Sequence, residues 1–377
     1  MPWREQRILD QRKKFVLAAL EPDANLSALC REEGISRPTA YKWLRRFREE
    51  GLEGLMDQSR RPHSNPTRAS GEAVLQVLEL RDKHPRWGAR KLQAVLERRG
   101  LLDEVPSERT IARILERADA IPARRRRRAR VSVPTERPVL DVEGPNDVWT
   151  IDFKGWWRTG AGDRIEPLTV RDAYSRYVLA ARLLRDCRSS AVKEVLSGLF
   201  ERHGLPCMMQ MDNGSPFACT KARGGLTKLS AWLVSLGVQV VRSRPGCPQD
   251  NGGHERMHLD MRYELEDVPA DSIEAQQEAI DIWRNEFNLI RPHEAIGLKP
   301  PGEVYRPSRR RYSGPTHPKY PAGWLVRKVD DKGVIRVLRE KLFVSTALSG
   351  QYVGLRPLLE EGYRLYFHDV DLGQLAA

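Results

Sequence analysis

Apolar residues near the start of the chain are spaced as on one face of a helix. Between residues 4 and 20 the stripe contains Ile8, Phe15, Val16, Ala19 and Leu20. A second short helix, LSALCREEG, ends at a glycine turn. A third, RPTAYKWLRRFREEG, follows a serine suited to cap it and has a proline in its first turn. The pattern predicts three packed helices over residues 1–60.

This order of elements is typical of a helix-turn-helix domain, in which the last helix enters the major groove of DNA. The third helix has polar side chains on the faces that its apolar stripe leaves open. The candidate DNA contacts are Arg37, Thr39, Lys42, Arg45 and Arg46. The alternative is an ordinary three-helix bundle with a solvated basic face.

A similar pattern of three helices returns over residues 66–121. Its predicted core contains Trp87, Leu92, Val95, Leu96, Ile111, Ile114 and Leu115. We predict a second helix-turn-helix-like domain, with candidate DNA contacts at Arg90, Lys91, Arg109 and Arg113. A spacer bundle that does not touch DNA is nearly as compatible with the sequence.

Residues 122–145 have a composition that cannot form a packed core. Prolines follow a run of six arginines, Arg124, Arg125, Arg126, Arg127, Arg128 and Arg130. We predict an extended linker that lies along phosphates, where binding releases counterions and depends strongly on salt. A free solvated segment is the alternative.

From residue 146 to 296 short β-rich runs alternate with amphipathic helices. The predicted order is β-β-β-α-β-α-β-α, a mixed α/β sheet. Asp152 interrupts the apolar strand VWTIDF, and Asp212 ends the apolar strand CMMQMD. A carboxylate beside a buried sheet is costly unless a cation compensates it, and no basic partner adjoins either acid in sequence. Hard carboxylate oxygens suit Mg²⁺ or Mn²⁺.

Three segments in this region, WTIDFKG, MDNGSPF and RPGCPQDNGGHERMH, carry a resemblance to a known family. They resemble the signature blocks of integrase-like DDE transposases of bacterial insertion sequences, whose catalytic core has the ribonuclease H fold. The resemblance implies that Asp152, Asp212 and Glu255 are the catalytic, metal-binding acids. It also implies two Mg²⁺ (or Mn²⁺) ions per site and an in-line phosphoryl displacement.

One spacing departs from many members of that family. They have about 35 residues between the second and third acids, whereas 42 lie between Asp212 and Glu255. We attribute the extra length to a loop insertion in FACTKARGGLTKL. Asp250 is a rival third acid, but it falls in a Pro/Gly loop. Three further acids, Glu166, Asp172 and Asp186, are interpreted as facing solvent or pairing with arginines.

Other residues of the core are auxiliary candidates. Asn213 is expected to shape the turn that presents Asp212, or to touch DNA. His258 lies on the same helical face as Glu255; it is interpreted as a surface histidine, or as a proton shuttle or phosphate contact. Candidate phosphate contacts are Lys154, Arg242, Arg244 and Arg256.

The C-terminal residues 322–377 contain short alternating strands with hairpin turns, which predict a small all-β domain resembling a barrel. The predicted fold class is therefore multidomain: helix-turn-helix domains, a ribonuclease H-like α/β core and an all-β module.

Charge and composition agree with a DNA-handling protein. The net charge is +13, and residues 1–138 hold 31 basic and 20 acidic side chains, so +11 of the excess lies there. The five cysteines include no CxxC pair, and no apolar segment resembles a signal peptide or a membrane span. We expect a cytoplasmic, nucleoid-associated protein with no membrane partner.

The predicted function is that of a transposase that binds terminal inverted repeats of double-stranded DNA and cleaves and joins strands as a homo-oligomer. Two alternatives stay open: a DNA-binding regulator with an inactive core, and a ribonuclease H-like nuclease without joining activity.

Overall fold

The computed structural model describes residues 8–58, 69–121, 140–184, 186–217, 223–244, 251–337, 340–358 and 362–375. The arginine run predicted to bind phosphate and the rival acid Asp250 lie outside these residues. By its contacts the chain forms two compact units, one up to residue 68 and the other from residue 69 onward.

The first unit has the three predicted helices, α1 (Ile8–Ala19), α2 (Leu26–Glu32) and α3 (Arg37–Glu50), followed by a 3₁₀ turn, Gly51–Leu55. Ser36 caps α3, since its Oγ accepts a hydrogen bond from the Thr39 backbone N–H at 3.3 Å. Phe15, Val16, Ala40 and Leu44 are buried in the shared core. The helix boundaries and the cap are therefore as predicted.

The second unit begins with α4 (Gly71–Lys83), α5 (Ala89–Arg99) and α6 (Glu108–Arg117). Ser70 and Ser107 cap α4 and α6 through their side chains. All seven core residues predicted for this bundle are buried together.

A five-stranded sheet forms the centre of the second unit. Its strands are β1 (Val148–Phe153), β4 (Pro167–Asp172), β5 (Val178–Leu183), β6 (Met208–Met211) and β7 (Gln239–Arg242). A separate hairpin of β2 (Trp157–Arg158) and β3 (Arg164–Ile165) was not predicted. The order is β5-β4-β1-β6-β7, with β1 antiparallel to β4 and parallel to β6. The mixed α/β prediction is confirmed.

The helices of the core are α7 (Ser189–His203), α8 (Lys228–Ser235), α9 (Gly252–Met261), α10 (Ile273–Leu289) and the short α11 (Pro301–Val304). One sheet face, with Trp149, Ile151 and Met209, packs against α7 and α8. Because side chains alternate along a strand, the neighbouring positions face the other side of the sheet. There the residues are polar, and α9 covers them.

Helices α4–α6 contact this core directly. The Arg86 guanidinium lies 3.2 Å from the centre of the Tyr263 ring, just after α9. His84 Nδ1 is 3.1 Å from Glu286 of α10, and Arg98 is 3.1 Å from Glu303 of α11. The second helical bundle is therefore docked on the sheet domain by charged and aromatic contacts.

The C-terminal strands are β8 (Leu325–Lys328), β9 (Val334–Val337), β10 (Glu340–Phe343), β11 (Tyr352–Pro357), β12 (Tyr363–Phe367) and β13 (Val370–Leu375). They form a four-stranded antiparallel sheet, β13-β12-β11-β8, and a two-stranded sheet, β9-β10. Their apolar core includes Ala231 and Val234 of α8, so it is shared with the central domain. No helix in the described part of the chain is long and apolar enough to cross a membrane.

Candidate active site

The three predicted acids lie on three elements that meet at one edge of the sheet. Asp152 is the fifth residue of β1, Asp212 directly follows β6, and Glu255 is in the first turn of α9. Strands β1 and β6 are parallel neighbours in which Thr150 pairs with Gln210. Continuing that register by two residues brings Asp152 opposite Asp212.

The electrostatics of Asp152 show that the three carboxylates are close. Burial beside the sheet raises the pKa of Asp152, the charges of Asp212 and Glu255 raise it further, and the result is about 7. A hydrogen bond involving the Phe153 backbone opposes this rise. An acid whose neighbours are also acids is stabilised in its charged form only by a cation.

The donor set suits a hard divalent cation, because it offers three carboxylate groups. In the part of the chain that the structure describes, however, no three His, Cys, Asp or Glu side chains converge closely enough to hold a metal ion. The acids are therefore near neighbours without being a closed metal cage.

The turn after β6 holds Asp212 in place. The Gly214 backbone N–H donates to Asp212 Oδ1 at 3.0 Å, and the Asn213 amide donates to the Ser243 carbonyl at 2.6 Å. A Cβ at position 214 would lie 3.2 Å from the Asp212 carboxylate. Asn213 therefore ties this turn to the end of β7.

Two histidines of α9 contact the polar face of the sheet through threonines. His254 Nδ1 lies 2.7 Å from Thr150 Oγ1, and its Nε2 lies 2.7 Å from Thr169 Oγ1. His258 Nε2 lies 2.8 Å from the same Thr169 oxygen. The Thr169 hydroxyl donates its one proton to the Asp152 carbonyl at 3.0 Å. Both histidines must therefore donate from Nε2, which assigns their tautomers from the network.

Burial lowers the pKa of both histidines, with smaller contributions from charged neighbours. That of His254 falls well below its ordinary value, and that of His258 falls to about 3, helped by Lys154 and Arg171. His258 is therefore a neutral bridge to Thr169, and its interpretation as a surface histidine is wrong. A group with this pKa is also a poor proton carrier near pH 7.

Asp172 is not the solvent-facing acid that its place at a strand end indicated. It is fully buried and accepts hydrogen bonds from the Asn146 and Ser175 backbone N–H groups, each at 2.7 Å, and from the Ser175 hydroxyl. These bonds fix the β4–β5 turn. Asp172 therefore has a structural place in the core, which explains why it is not one of the three site acids.

The predicted phosphate contacts in the core differ in their availability. Lys154 is paired with Glu266, and its side chain is only 9% exposed. Arg242 donates to the Gly225 carbonyl. Arg256 is largely exposed and lies 3.9 Å from Asp260. Arg244 is half-buried and has an interaction partner. Of the four, only Arg256 has an open guanidinium, so Lys154 and Arg242 are corrected to structural residues.

The helical candidates also divide. Those exposed to solvent are Arg37, Lys42, Arg45, Arg90, Arg109 and Arg113. Thr39 Oγ1 lies 2.8 Å from the Ser36 hydroxyl, inside the helix cap. Arg46 is buried, donates to the Met56 carbonyl at 3.1 Å and lies beside the Trp43 ring, so its prediction as a DNA contact is wrong. Burial, and then the charge of Arg291, lower the pKa of the half-buried Lys91.

The insertion before Glu255 contacts the C-terminal strands. Leu226 is part of their core, and Arg223 donates to the Gln374 carbonyl at 3.3 Å. The extra residues between the second and third acids thus join the site region to the β module.

Sequence reasoning missed two arginines beside Glu255, Arg171 and Arg176. Both lie in the segment TVRDAYSR, where attention went to the acid between them. The alternation that places Thr169 and Arg171 on the same face as Asp152 was the available signal.

Comparison with known proteins identifies the domains. Residues 142–248 and 236–301 match two models described as integrase core domain. Residues 11–63 match a helix-turn-helix domain, and residues 39–115 a homeodomain-like domain. By homology, the chain belongs to the transposase/integrase family. Its integrase core follows a helix-turn-helix region, as the sequence motifs predicted.

Relatives with similar sequences are proteins of insertion elements. The chain is 28% identical over 294 residues to an uncharacterised 39.2 kDa protein of insertion element IS476 of Xanthomonas euvesicatoria, covering 76% of this chain and 81% of the relative. It is 24% identical over 292 residues to the InsD transposase of element IS2 of Escherichia coli, covering 72% and 88% respectively.

Among solved structures, the integrase-containing intasome of simian T-cell lymphotropic virus, in complex with PP2A regulatory subunit B56 gamma, has a similar chain. It is 15% identical, covers 80% of this chain and 99% of its own, and has a TM-score of 0.37. With a score this low, the family assignment rests on the sequence models.

Proposed function

We propose that this integrase-family chain is an active DNA transposase, which binds the terminal inverted repeats of an insertion element and cleaves and joins DNA strands. The observation that carries the proposal is the cluster of Asp152, Asp212 and Glu255, in which two acids raise the pKa of the third. Such mutual repulsion is relieved when a cation binds.

The three carboxylates would hold two Mg²⁺ or Mn²⁺ ions. When bound, such ions activate the attacking oxygen and stabilise the leaving oxygen of a phosphodiester. The chain's own residues position this site: the Asn213 turn holds Asp212, and the Thr169–His254 contact fixes α9, and with it Glu255, against β1.

The exposed arginines and lysine of α3 would read the element ends in the major groove, as expected of a helix-turn-helix domain. The arginine run of residues 122–145 would add contacts to phosphates. A homo-oligomer is expected because two element ends must be joined in one reaction. We retain the predicted division into domains 1–60, 66–121, 146–296 and 322–377, with the run of arginines as linker.

The test uses the full chain, a labelled duplex that carries one element end, and a supercoiled target plasmid in Mg²⁺. We expect a nick at the element end and then joined product. Asp212→Asn should abolish both steps, whereas Asp163→Asn, which changes an exposed acid of the β2–β3 hairpin, should leave both intact.

The outcomes separate the alternatives. Binding without any nick by the wild-type protein supports the regulator with an inactive core. Nicking without joining supports a nuclease of the ribonuclease H type. Equal nicking by wild type and Asp212→Asn refutes the assignment of the acids.

A further inference from the structure

The polar face of the sheet continues past the acids to a buried arginine. Arg171 of β4 pairs with Thr150 of β1, and Thr169 pairs with Asp152, so all four side chains point to the same face. Arg171 is only 5% exposed. A Cβ on Gly253 would lie 2.3 Å from the Arg171 guanidinium, which places that group beside the start of α9 and beside Glu255.

A cleft of about 880 Å³ opens beside this guanidinium. Its walls include Arg171, Arg176, Asn251, Gly253 and Glu255. A second cleft, of about 510 Å³, also has Arg171, Arg176 and Gly253 in its walls and reaches Lys91 and His293. Arg171 thus lines both clefts, and the edge of the pair that lies nearest the acids is formed by Glu255.

Several buried polar atoms in these walls have no partner among the described residues. They are Nε of Arg171, Nε of Arg176, Oδ1 of Asn251 and Nε2 of His293. Three of these four residues carry hydrogen-bond donors suited to an anion. Burial, and then the charge of Arg176, lower the pKa of Arg171 to about 9, whereas Asp172 opposes this only weakly.

The acids around the clefts do not neutralise the two arginines. Asp172 is engaged by Asn146 and Ser175. Asp260 is 2.9 Å from Arg291. Glu255 and Glu294 are exposed. On the basic side stand Lys91, Arg256 and Lys299, which also line the clefts. The balance of charge is therefore positive.

The turn that carries Arg176 has an unfavourable backbone conformation for this residue. Arg176 has a φ of +68°, which is rare outside glycine, asparagine and aspartate. A side chain kept in such a conformation costs about 1–2 kcal/mol. A ligand contact made by the guanidinium would explain why arginine stands there.

We propose that Arg171 and Arg176 bind a backbone phosphate of the DNA strand whose neighbouring phosphodiester is held at Asp152, Asp212 and Glu255. This site rests on the proposed function, since it requires DNA at the acids. Two residues along a strand span about 7 Å. That is roughly the axial rise of two nucleotides, so one strand can reach both ends of the face.

The first test measures how binding of an element-end duplex depends on salt, with Ca²⁺ in place of Mg²⁺ to block cleavage. Loss of one phosphate contact lowers the slope of log K against log salt by about 0.9 for duplex DNA, or about 0.7 for a single strand. We expect this loss for Arg171→Gln and for Arg176→Gln. The matched control Arg202→Gln, on the exposed end of α7 behind the sheet, should keep the wild-type slope.

The second test replaces single phosphates of the duplex, one at a time, by neutral methylphosphonates. At one position near the cleavage site, neutralisation should weaken binding by the wild type at least fivefold. It should weaken Arg171→Gln no further, because the two changes remove the same contact. Arg176→Gln, at a half-buried turn residue, provides the same measurement if Arg171→Gln fails to fold.

The outcomes are distinct. Wild-type binding without coupling at any methylphosphonate position overturns the phosphate site but leaves the proposed function standing. If inorganic phosphate alone raises the melting temperature of the wild type but not of Arg176→Gln, and no position couples, the clefts bind free phosphate and the DNA assignment is wrong. If the wild type binds no element-end DNA at all, it is the proposed function that fails.

Discussion

The two ends of the polar sheet face have buried or half-buried charges of opposite sign. At one end, Asp152 is surrounded by other acids; at the other, Arg171 lies beside Arg176. In each case the neighbouring charge shifts the pKa toward neutrality, and burial does so more strongly. Charges kept in this state are costly without an external partner. The comparison teaches that one face is arranged for a cation at one end and for a phosphate at the other.

Between the two ends lies a neutral layer. Thr150 and Thr169 bond to His254 and His258, and Thr169 also bonds to the Asp152 carbonyl. A charged residue in this layer would interact with one end and repel the other. The neutral hydrogen-bonded network fixes α9 without that effect.

The acid end can be disabled alone by Glu255→Gln. A bound metal contributes several kcal/mol to the transition state, so loss of one ligand should slow cleavage of the element end by about a thousandfold or more. Binding in Ca²⁺ should keep its salt slope, because no phosphate contact is lost. Glu278→Gln, an exposed position of α10, is the control. Cleavage within a factor of ten of wild type would contradict the role of Glu255.

The neutral layer can be broken by Thr169→Val, which keeps the shape but removes the hydroxyl. Two histidine N–H groups then lose their acceptor, so the free energy of unfolding should fall by about 2–4 kcal/mol. Urea denaturation measures this value. Thr169→Ser retains the hydroxyl and should lose less than half as much; an equal loss would show that packing, and not the network, is responsible.

The repulsion at the acid end predicts that Asp152→Asn stabilises the metal-free protein. At pH 8 the aspartate is ionised in both the folded and unfolded states, but only the folded state bears the burial and repulsion. Its folded pKa of about 7 exceeds the unfolded value of 3.8, so this cost is present above pH 7 and disappears as the pH falls to about 4. The expected gain at pH 8 is about 1–3 kcal/mol.

Melting in EDTA at pH 8 and at pH 4 checks this prediction. The control Asp163→Asn should change neither melting temperature by more than a degree or two. A gain for Asp152→Asn that is the same at both pH values would exclude carboxylate repulsion as its cause.

The smallest effect is expected at Arg256, which is exposed and has only a long contact with Asp260. Arg256→Gln should change the free energy of unfolding by less than about 0.5 kcal/mol. It should nevertheless lower the salt slope of DNA binding if this residue touches phosphate. A stability loss above 1 kcal/mol would place Arg256 in the structural part of the basic end.

Much of the fold could be predicted because local patterns determine it. The Ser36 cap and the apolar stripe of α3 are set within a few residues, and the second bundle's core follows the same periodicity. The acids were found because a carboxylate in an apolar strand is conspicuous. Their motif order then placed Glu255 with them.

What could not be predicted depends on contacts between distant segments. Arg46 is in the basic helix, but the 3₁₀ turn after α3 covers it. Lys154 meets Glu266, 112 residues away, and Asp172 meets the Asn146 backbone. A charge that a distant segment buries has the same local sequence as a solvated one, so only the tertiary structure separates the two cases.

The central claim is that Asp152, with its two acidic neighbours, forms a divalent metal site. Calorimetric titration of Mn²⁺ into the wild type and Asp152→Asn, at pH 6.5 in buffers of different ionisation enthalpy, tests it most directly. Because Asp152 has a pKa of about 7, the wild type should bind Mn²⁺ and release between about 0.5 and 1 proton. Asp152→Asn should bind far more weakly and release none. Equal affinity and equal proton release in both proteins would contradict the account.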